Sequence, residues 1–204
     1  NATELFVTPD HYVLRMLFSQ GIDFADLGVI EKNRVTEARD PRKIWNTFAS
    51  HYYLFLGTPT KIWLDHVFRN LFGLTETLNE GNADIFYDSI SNSLKTPEFS
   101  PRKLYERFNI EVLCTTESPL DNLDYHKDIN SSDWEGRVIS AYRPDNVIDP
   151  EYESFTENVE RLGEITGENT NRFDGYLAAH FSRRKFFKSL GTTSTDHGHP
   201  SANT

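Results

Sequence analysis

Asp196, His197 and His199 crowd around Gly198 in the run Thr195-Asp196-His197-Gly198-His199-Pro200. A carboxylate beside an imidazole can carry a proton, orient the ring or join it on a metal ion. The competing structural reading is an aspartate that caps a turn. His197 and His199 also have the His-x-His spacing that sets two rings on one face of a strand. Arg143, in Tyr142-Arg143-Pro144-Asp145, offers a planar fork for a carboxylate or phosphate, unless Asp145 simply pairs with it. Asp10-His11-Tyr12 adds a phenol to the candidates, though Asp10 also reads as a helix cap. Cys114 lies in an apolar run and reads as a small buried hydrophobe rather than a nucleophile.

These residues need elements to position them. Five Ser-Pro, Thr-Pro or Asp-Pro pairs stand before helical patterns: Asp40-Pro41, Thr58-Pro59, Ser100-Pro101, Ser118-Pro119 and Asp149-Pro150. Each is an N-cap followed by proline at the first helical position. Ile44, Trp45, Phe48, Tyr52 and Phe55 recur at helical spacing, as do Leu64, Val67, Phe68, Leu71 and Phe72, with Gly73 as a stop. Trp63 is assigned to the same aromatic core. Ala83, Phe86, Ile90 and Leu94 form a third stripe, and Leu104 and Phe108 a short fourth, so residues 10–108 read as almost all helix.

The pattern changes at Asn109. Residues 109–116 and 137–142 read as strands, and 191–195 as a third, weaker one. Helices are expected between them: over 118–129, from Asp149 with Phe155, Val159 and Leu162 inward, and over 173–190 with Tyr176, Leu177, Phe181 and Phe187 inward. Alternating strands and helices predict an α/β fold with a parallel sheet. Catalytic groups in such sheets sit beyond the carboxyl ends of the strands. Those ends hold Thr115-Thr116-Glu117 with Asp121 behind, Arg143-Pro144-Asp145, and Asp196-His197.

Composition narrows the function classes. With 204 residues and 37% hydrophobic content the chain can bury a core, and its net charge of −10 argues against a nucleic-acid surface. An anionic ligand would need a local arginine. No apolar run approaches the roughly 18–20 residues of a membrane span. One cysteine allows no intrachain disulfide, which fits a reducing, cytoplasmic setting. No phosphate-binding glycine loop, nucleophile-elbow serine or Cys-x-x-Cys pair is present. Asn1 and Ala2 read as a tag remnant and are set aside from the fold, since Met16 is the only methionine.

Asp10-His11-Tyr12 with Arg15-Met16, Ile44-Trp45 through His51-Tyr52, Gly57-Thr58-Pro59 with Trp63-Leu64, Phe108-Asn109-Ile110, Thr115-Thr116 with Pro119 and Asp121, Tyr142-Arg143-Pro144-Asp145 and Thr195-Asp196-His197 occur in one order. Together they resemble uronate (glucuronate) isomerase of the amidohydrolase superfamily. The resemblance implies an internal piece of a distorted (β/α)8 barrel more than twice this length. Residues 3–108 would be a helical insertion, and residues 109–204 would hold barrel strands two to four. It implies interconversion of D-glucuronate with D-fructuronate and of D-galacturonate with D-tagaturonate, an aldose–ketose isomerisation in hexuronate catabolism. Tyr12 and Asp196 match proton-handling residues and Arg143 the substrate-binding arginine, while His197 follows in the motif without an assigned role. The family's divalent metal, zinc, would have its ligands outside this chain, so His197-Gly198-His199 is not taken as the metal site.

On this reading the piece alone would be inactive and would bind no metal. An open sheet edge would favour a homo-oligomer. Two alternatives stay open: another amidohydrolase-like barrel that hydrolyses its substrate, and a non-catalytic helical module whose aromatic stripes bind a partner.

Overall fold

The computed structural model describes residues 1–29 and 40–198, which fall into two units, Asn1–Leu104 and Tyr105–Thr204. The first unit is helical: α1 (Ala2–Phe6), α2 (His11–Phe18), α3 (Pro41–Ser50), α4 (Pro59–Phe72) and α5 (Ala83–Ser93), with the boundary inside α6 (Pro101–Arg107). Asp40 caps α3 by accepting from the Arg42 amide at 2.9 Å, and Thr58 caps α4 through the Lys61 amide at 3.3 Å. Gly73 ends α4 in the left-handed conformation, as its sequence position suggests.

Asn1 and Ala2 belong to this fold, contrary to the expectation that set them aside. Asn1 caps α1 in a reciprocal box with Glu4, and Ala2 is fully buried with its amide on Ser91 Oγ at 3.2 Å. Trp45, Phe48, Tyr52, Phe55, Leu64, Phe68, Phe86 and Ile90 form the centre of the core. Phe68 meets Phe86 edge-to-face at 5.4 Å and Phe6 at 5.5 Å, which suits the ring quadrupoles. Trp63 departs from its expected core place: it is half exposed, because α4 turns Leu64, Val67 and Phe68 inward instead.

The second unit contains β1 (Leu113–Glu117), α7 (Asp124–Ser131), β2 (Val138–Tyr142), α8 (Asp145–Ile148), α9 (Phe155–Thr166) and α10 (Phe173–Ser189). β1 and β2 pair in parallel, with Thr115 beside Ser140 and Glu117 beside Tyr142. The expected third strand is reduced, among the described residues, to a single parallel bridge between Tyr142 and Thr195. Its approach is held by the end of α10, where the Thr192 amide bonds to the Phe187 carbonyl at 3.2 Å, so pairing begins only near Ser194.

Other boundaries shift for local reasons. β1 starts at Leu113 rather than Asn109, because Asn109 takes φ 51° and ends α6. Ser118-Pro119 and Asp149-Pro150 make turns, not helix starts: Asp121 N bonds back to Ser118 O at 2.9 Å and Tyr152 N to Asp149 O at 3.0 Å. Cys114 is exposed rather than buried, on a strand whose residues are all exposed or half-buried.

The inward face of α10 is also different from the expected one. Ala179, His180, Arg183 and Phe187 are buried, while Leu177 and Phe181 are exposed. Two polar side chains can face inward because each has a distant partner. Tyr142 Oη meets His180 Nδ1 at 2.8 Å, and Arg183 donates to the carbonyls of Pro119 and Asp121, each at 2.7 Å. Burial, with the charge of Arg184 second, pushes the His180 ring down to about 4.

That burial makes stability depend on pH. The unfolded chain takes up a proton on this ring near pH 6.5, whereas the folded ring stays neutral until about pH 4. Stability is therefore complete above the unfolded value and falls as acid is added through that window. Between pH 7 and 5 the chain should lose about 2 kcal/mol through this group. Urea unfolding of the chain and of His180→Phe at both pH values checks it: the variant should lose about 2 kcal/mol less. Equal losses would show that His180 is not the acid-sensitive group.

Candidate active site

β2 is buried along its whole length and carries the chain directly from Tyr142 to Arg143. The Arg143 amide donates to Glu117 O at 2.9 Å, which fixes the end of β2 beside the end of β1. On the other side, Tyr142 N bonds to Ser194 O and Asp196 N to Tyr142 O, both at 3.1 Å. The three chain segments therefore converge at one end, and Arg143 and Asp196 meet there.

The Arg143 guanidinium faces two carboxylates. Its Nε donates to Asp145 Oδ2 at 2.8 Å, and its Nη1 lies 3.4 Å from Asp196 Oδ2. His197 Nδ1 stands 3.4 Å from Asp145 Oδ1, and the Gly198 amide donates to Asp145 Oδ2 at 2.8 Å. Burial acts to raise the Asp145 carboxyl, but the Arg143 side chain and Gly198 amide hold it below the ordinary carboxylate range. The hydrogen bond to Asp145 in turn raises Arg143, which stays cationic.

An open groove of about 640 Å³ runs over this cluster, lined by Thr116, Glu117, Ser118, Arg143, Asp145, Asn146, Tyr152 and Gly198 among others. Asn146 Nδ2 donates to Ser118 Oγ at 3.0 Å and ties its rim together. Asp149, Glu151 and Glu153 make the rest of the wall acidic, so Arg143 is its one lining cation among the described residues. An anionic group entering this groove would have Arg143 as its cation among the described lining residues, and Asp196 stands 3.4 Å from that guanidinium.

Arg143, Asp196 and His197 are thus brought together as expected. Tyr12 is in the first unit, in the opening turn of α2, where Asp10 Oδ1 accepts from its amide at 2.9 Å. Tyr12 is 64% exposed. It lines a groove of about 560 Å³ with Arg15, Met16, Ser19, Phe55 and Thr58 to Thr60. His199 and Pro200 lie outside the described residues. Sequence reasoning treated Asp145 only as a possible pairing partner of Arg143 and gave Gly198 no part. A carboxylate two residues from an arginine, across Pro144, was the available signal for the first.

A metal does not fit this cluster. No group of three or more His, Cys, Asp and Glu side chains is arranged to ligate one among the described residues, and Arg143 already stands between the two aspartates. No step is drawn through a metal at these residues.

The fold and site define a helix-rich, mixed α/β chain that sets an arginine and two carboxylates at the end of a small parallel sheet. The glucuronate isomerase family model matches residues 1–203, and the chain belongs to that family. It is 56% identical over 201 residues, 98% of its length, to the uronate isomerase of Mesorhizobium japonicum. It is 55% identical over its whole length to that of Xanthomonas euvesicatoria. The chain covers 43% of each of these relatives. Among solved structures it resembles glucuronate isomerase from Caulobacter crescentus, with TM-score 0.92 and 50% identity over 98% of this chain and 42% of that one. Uronate isomerase from Thermotoga maritima matches with TM-score 0.81 and 28% identity over 92% and 40%. No helix among the described residues is long and apolar enough to cross a membrane.

Proposed function

We propose that this chain supplies part of the active site of a hexuronate isomerase, which converts D-glucuronate to D-fructuronate and D-galacturonate to D-tagaturonate. The reaction moves a proton between C2 and C1 of the open-chain sugar through an enediol, and the carbonyl shifts from C1 to C2. Arg143 binds the hexuronate carboxylate, Asp196 takes and returns the carbon-bound proton, and Tyr12 exchanges protons with the substrate. The observation that carries this reading is the convergence of Asp196, at 3.4 Å, on Arg143, the lining cation of an otherwise acidic groove. Relatives named uronate isomerase, above 50% identity, support it.

In the same reading β1, β2 and the segment at Thr195 are strands two to four of a (β/α)8 barrel, and residues 3–108 are a helical insertion. A divalent metal, zinc, would be held by residues other than these and would supply Lewis acidity there. A cytoplasmic enzyme of hexuronate catabolism, assembled as a homo-oligomer, fits the lone cysteine and open sheet edge.

Arg143→Lys tests the substrate assignment in a full-length uronate isomerase carrying this chain. A lysine keeps the charge but loses the fork and the Nε bond to Asp145. KM for D-glucuronate should rise by about 10- to 100-fold, with kcat less affected. An unchanged kcat/KM would remove Arg143 from the site.

A further inference from the structure

The two carboxylates on Arg143 are not equivalent. Asp145 is 15% exposed and bonds at 2.8 Å, whereas Asp196 is 44% exposed and stands at 3.4 Å. Asp145 Oδ2 accepts at once from Arg143 Nε and the Gly198 amide, tying the loop after Thr195 to the loop after β2. Gly198 is also the floor under the guanidinium: a Cβ there would lie 1.9 Å from Arg143 Nη2. A contact that short excludes any side chain at 198 unless the guanidinium moves.

We propose that Asp145 is the positioning residue for Arg143: with the bare backbone of Gly198 it fixes the guanidinium so that an incoming hexuronate carboxylate replaces Asp196, not Asp145. This rests on the reading of Arg143 as the substrate-binding cation. The shorter, part-buried bond survives ligand entry because Asp145, the less exposed carboxylate, would lose more solvent compensation than Asp196 on parting from its cation. The exposed Asp196 contact is the weaker one, since solvent screens it and its distance is longer. Binding thereby frees Asp196 from its cation at the moment its proton chemistry is needed. Without Asp145 the guanidinium loses its anchor and can settle on Asp196, where it no longer presents its fork to the ligand.

The test uses Asp145→Ala, Asp145→Asn, Gly198→Ala and Arg143→Lys in a full-length uronate isomerase carrying this chain, with D-glucuronate as substrate. Asp145→Ala and Gly198→Ala should each raise KM by about tenfold or more, with kcat changing by less than about threefold. Asp145→Asn should recover most of the loss, because its amide oxygen can accept both bonds. An unchanged KM in Asp145→Ala and Gly198→Ala, beside a raised KM in Arg143→Lys, overturns the positioning role while leaving Arg143 in the site. An unchanged KM in all four overturns the Arg143 reading as well. Equal collapse of kcat and of melting temperature in Asp145→Ala and Asp145→Asn would show a structural role only, which also overturns the proposal.

Discussion

Asp196→Asn in a full-length uronate isomerase carrying this chain is expected to lower kcat by about two to four orders of magnitude, the usual span for loss of a general acid–base group. The substitution is nearly isosteric. Asp196 is placed by its own backbone, through the amide bond to Tyr142 O at 3.1 Å, and that bond is untouched by a change of side chain. An amide oxygen can also keep the 3.4 Å approach to Arg143. What the amide cannot do is accept a proton from carbon and return it to the neighbouring carbon. The loss should therefore fall on kcat, with KM changed by less than about threefold. Steady-state rates of D-glucuronate conversion decide it. A kcat within about threefold of the parent would exclude Asp196 as the proton carrier.

Trp45→Ala is expected to destabilise the first unit by about 3–5 kcal/mol. Trp45 is fully buried in α3 and meets Phe48 at 5.4 Å, Phe68 at 6.3 Å and Tyr87 at 6.4 Å. Its Nε1 donates to Ala83 O at 2.9 Å, which ties α3 to the first residue of α5. Truncation removes the ring contacts and that tie together, and leaves a cavity that the surrounding rings cannot fill without leaving their edge-to-face arrangement. Such a loss is a large share of the total stability of an ordinary domain, about 5–15 kcal/mol. Trp45→Phe keeps most of the volume and should cost about half as much or less. Urea unfolding of the chain, followed by far-UV circular dichroism, measures both. A cost below about 1 kcal/mol for Trp45→Ala would mean that the ring does not hold the helices together.

The parts of this fold that are legible in the sequence are those decided within one or two turns of chain. Asp40-Pro41 and Thr58-Pro59 start helices because the cap, the fixed proline φ and the following apolar stripe agree. Ser118-Pro119 looks the same locally, yet Arg183, 62 and 64 residues away along the chain, holds the carbonyls of Asp121 and Pro119 in a turn. The same long-range bond explains why the burial of α10 is misread. Hydrophobic periodicity puts Leu177 and Phe181 inside, whereas His180 goes there with its Nδ1 on Tyr142 Oη and Arg183 with its guanidinium on two carbonyls. A pattern of apolar residues cannot register a buried polar group whose partner is distant in sequence.

The site follows the same division. Arg143, Asp196 and His197 are visible because strand ends are where α/β sheets gather polar groups, and β2 is legible as a strand from Val138 to Tyr142. Gly198 is invisible as a site residue until Arg143 Nη2 is seen where its Cβ would be. The third strand is overestimated because residues 191–195 have the composition of a strand, while the end of α10 lets only Thr195 reach the bridge to Tyr142.

In the proposed function Arg143 and Asp196 belong to an enzyme that moves a carbonyl from C1 to C2 of a hexuronate. The most direct measurement supplies D-glucuronate labelled with carbon-13 at C2 to a full-length uronate isomerase carrying this chain and follows the label by NMR. The labelled carbon should become the ketose carbon of D-fructuronate, and Asp196→Asn should suppress this conversion. Recovery of the label only in unreacted D-glucuronate, or ketose formed as fast by Asp196→Asn as by the parent, would contradict it.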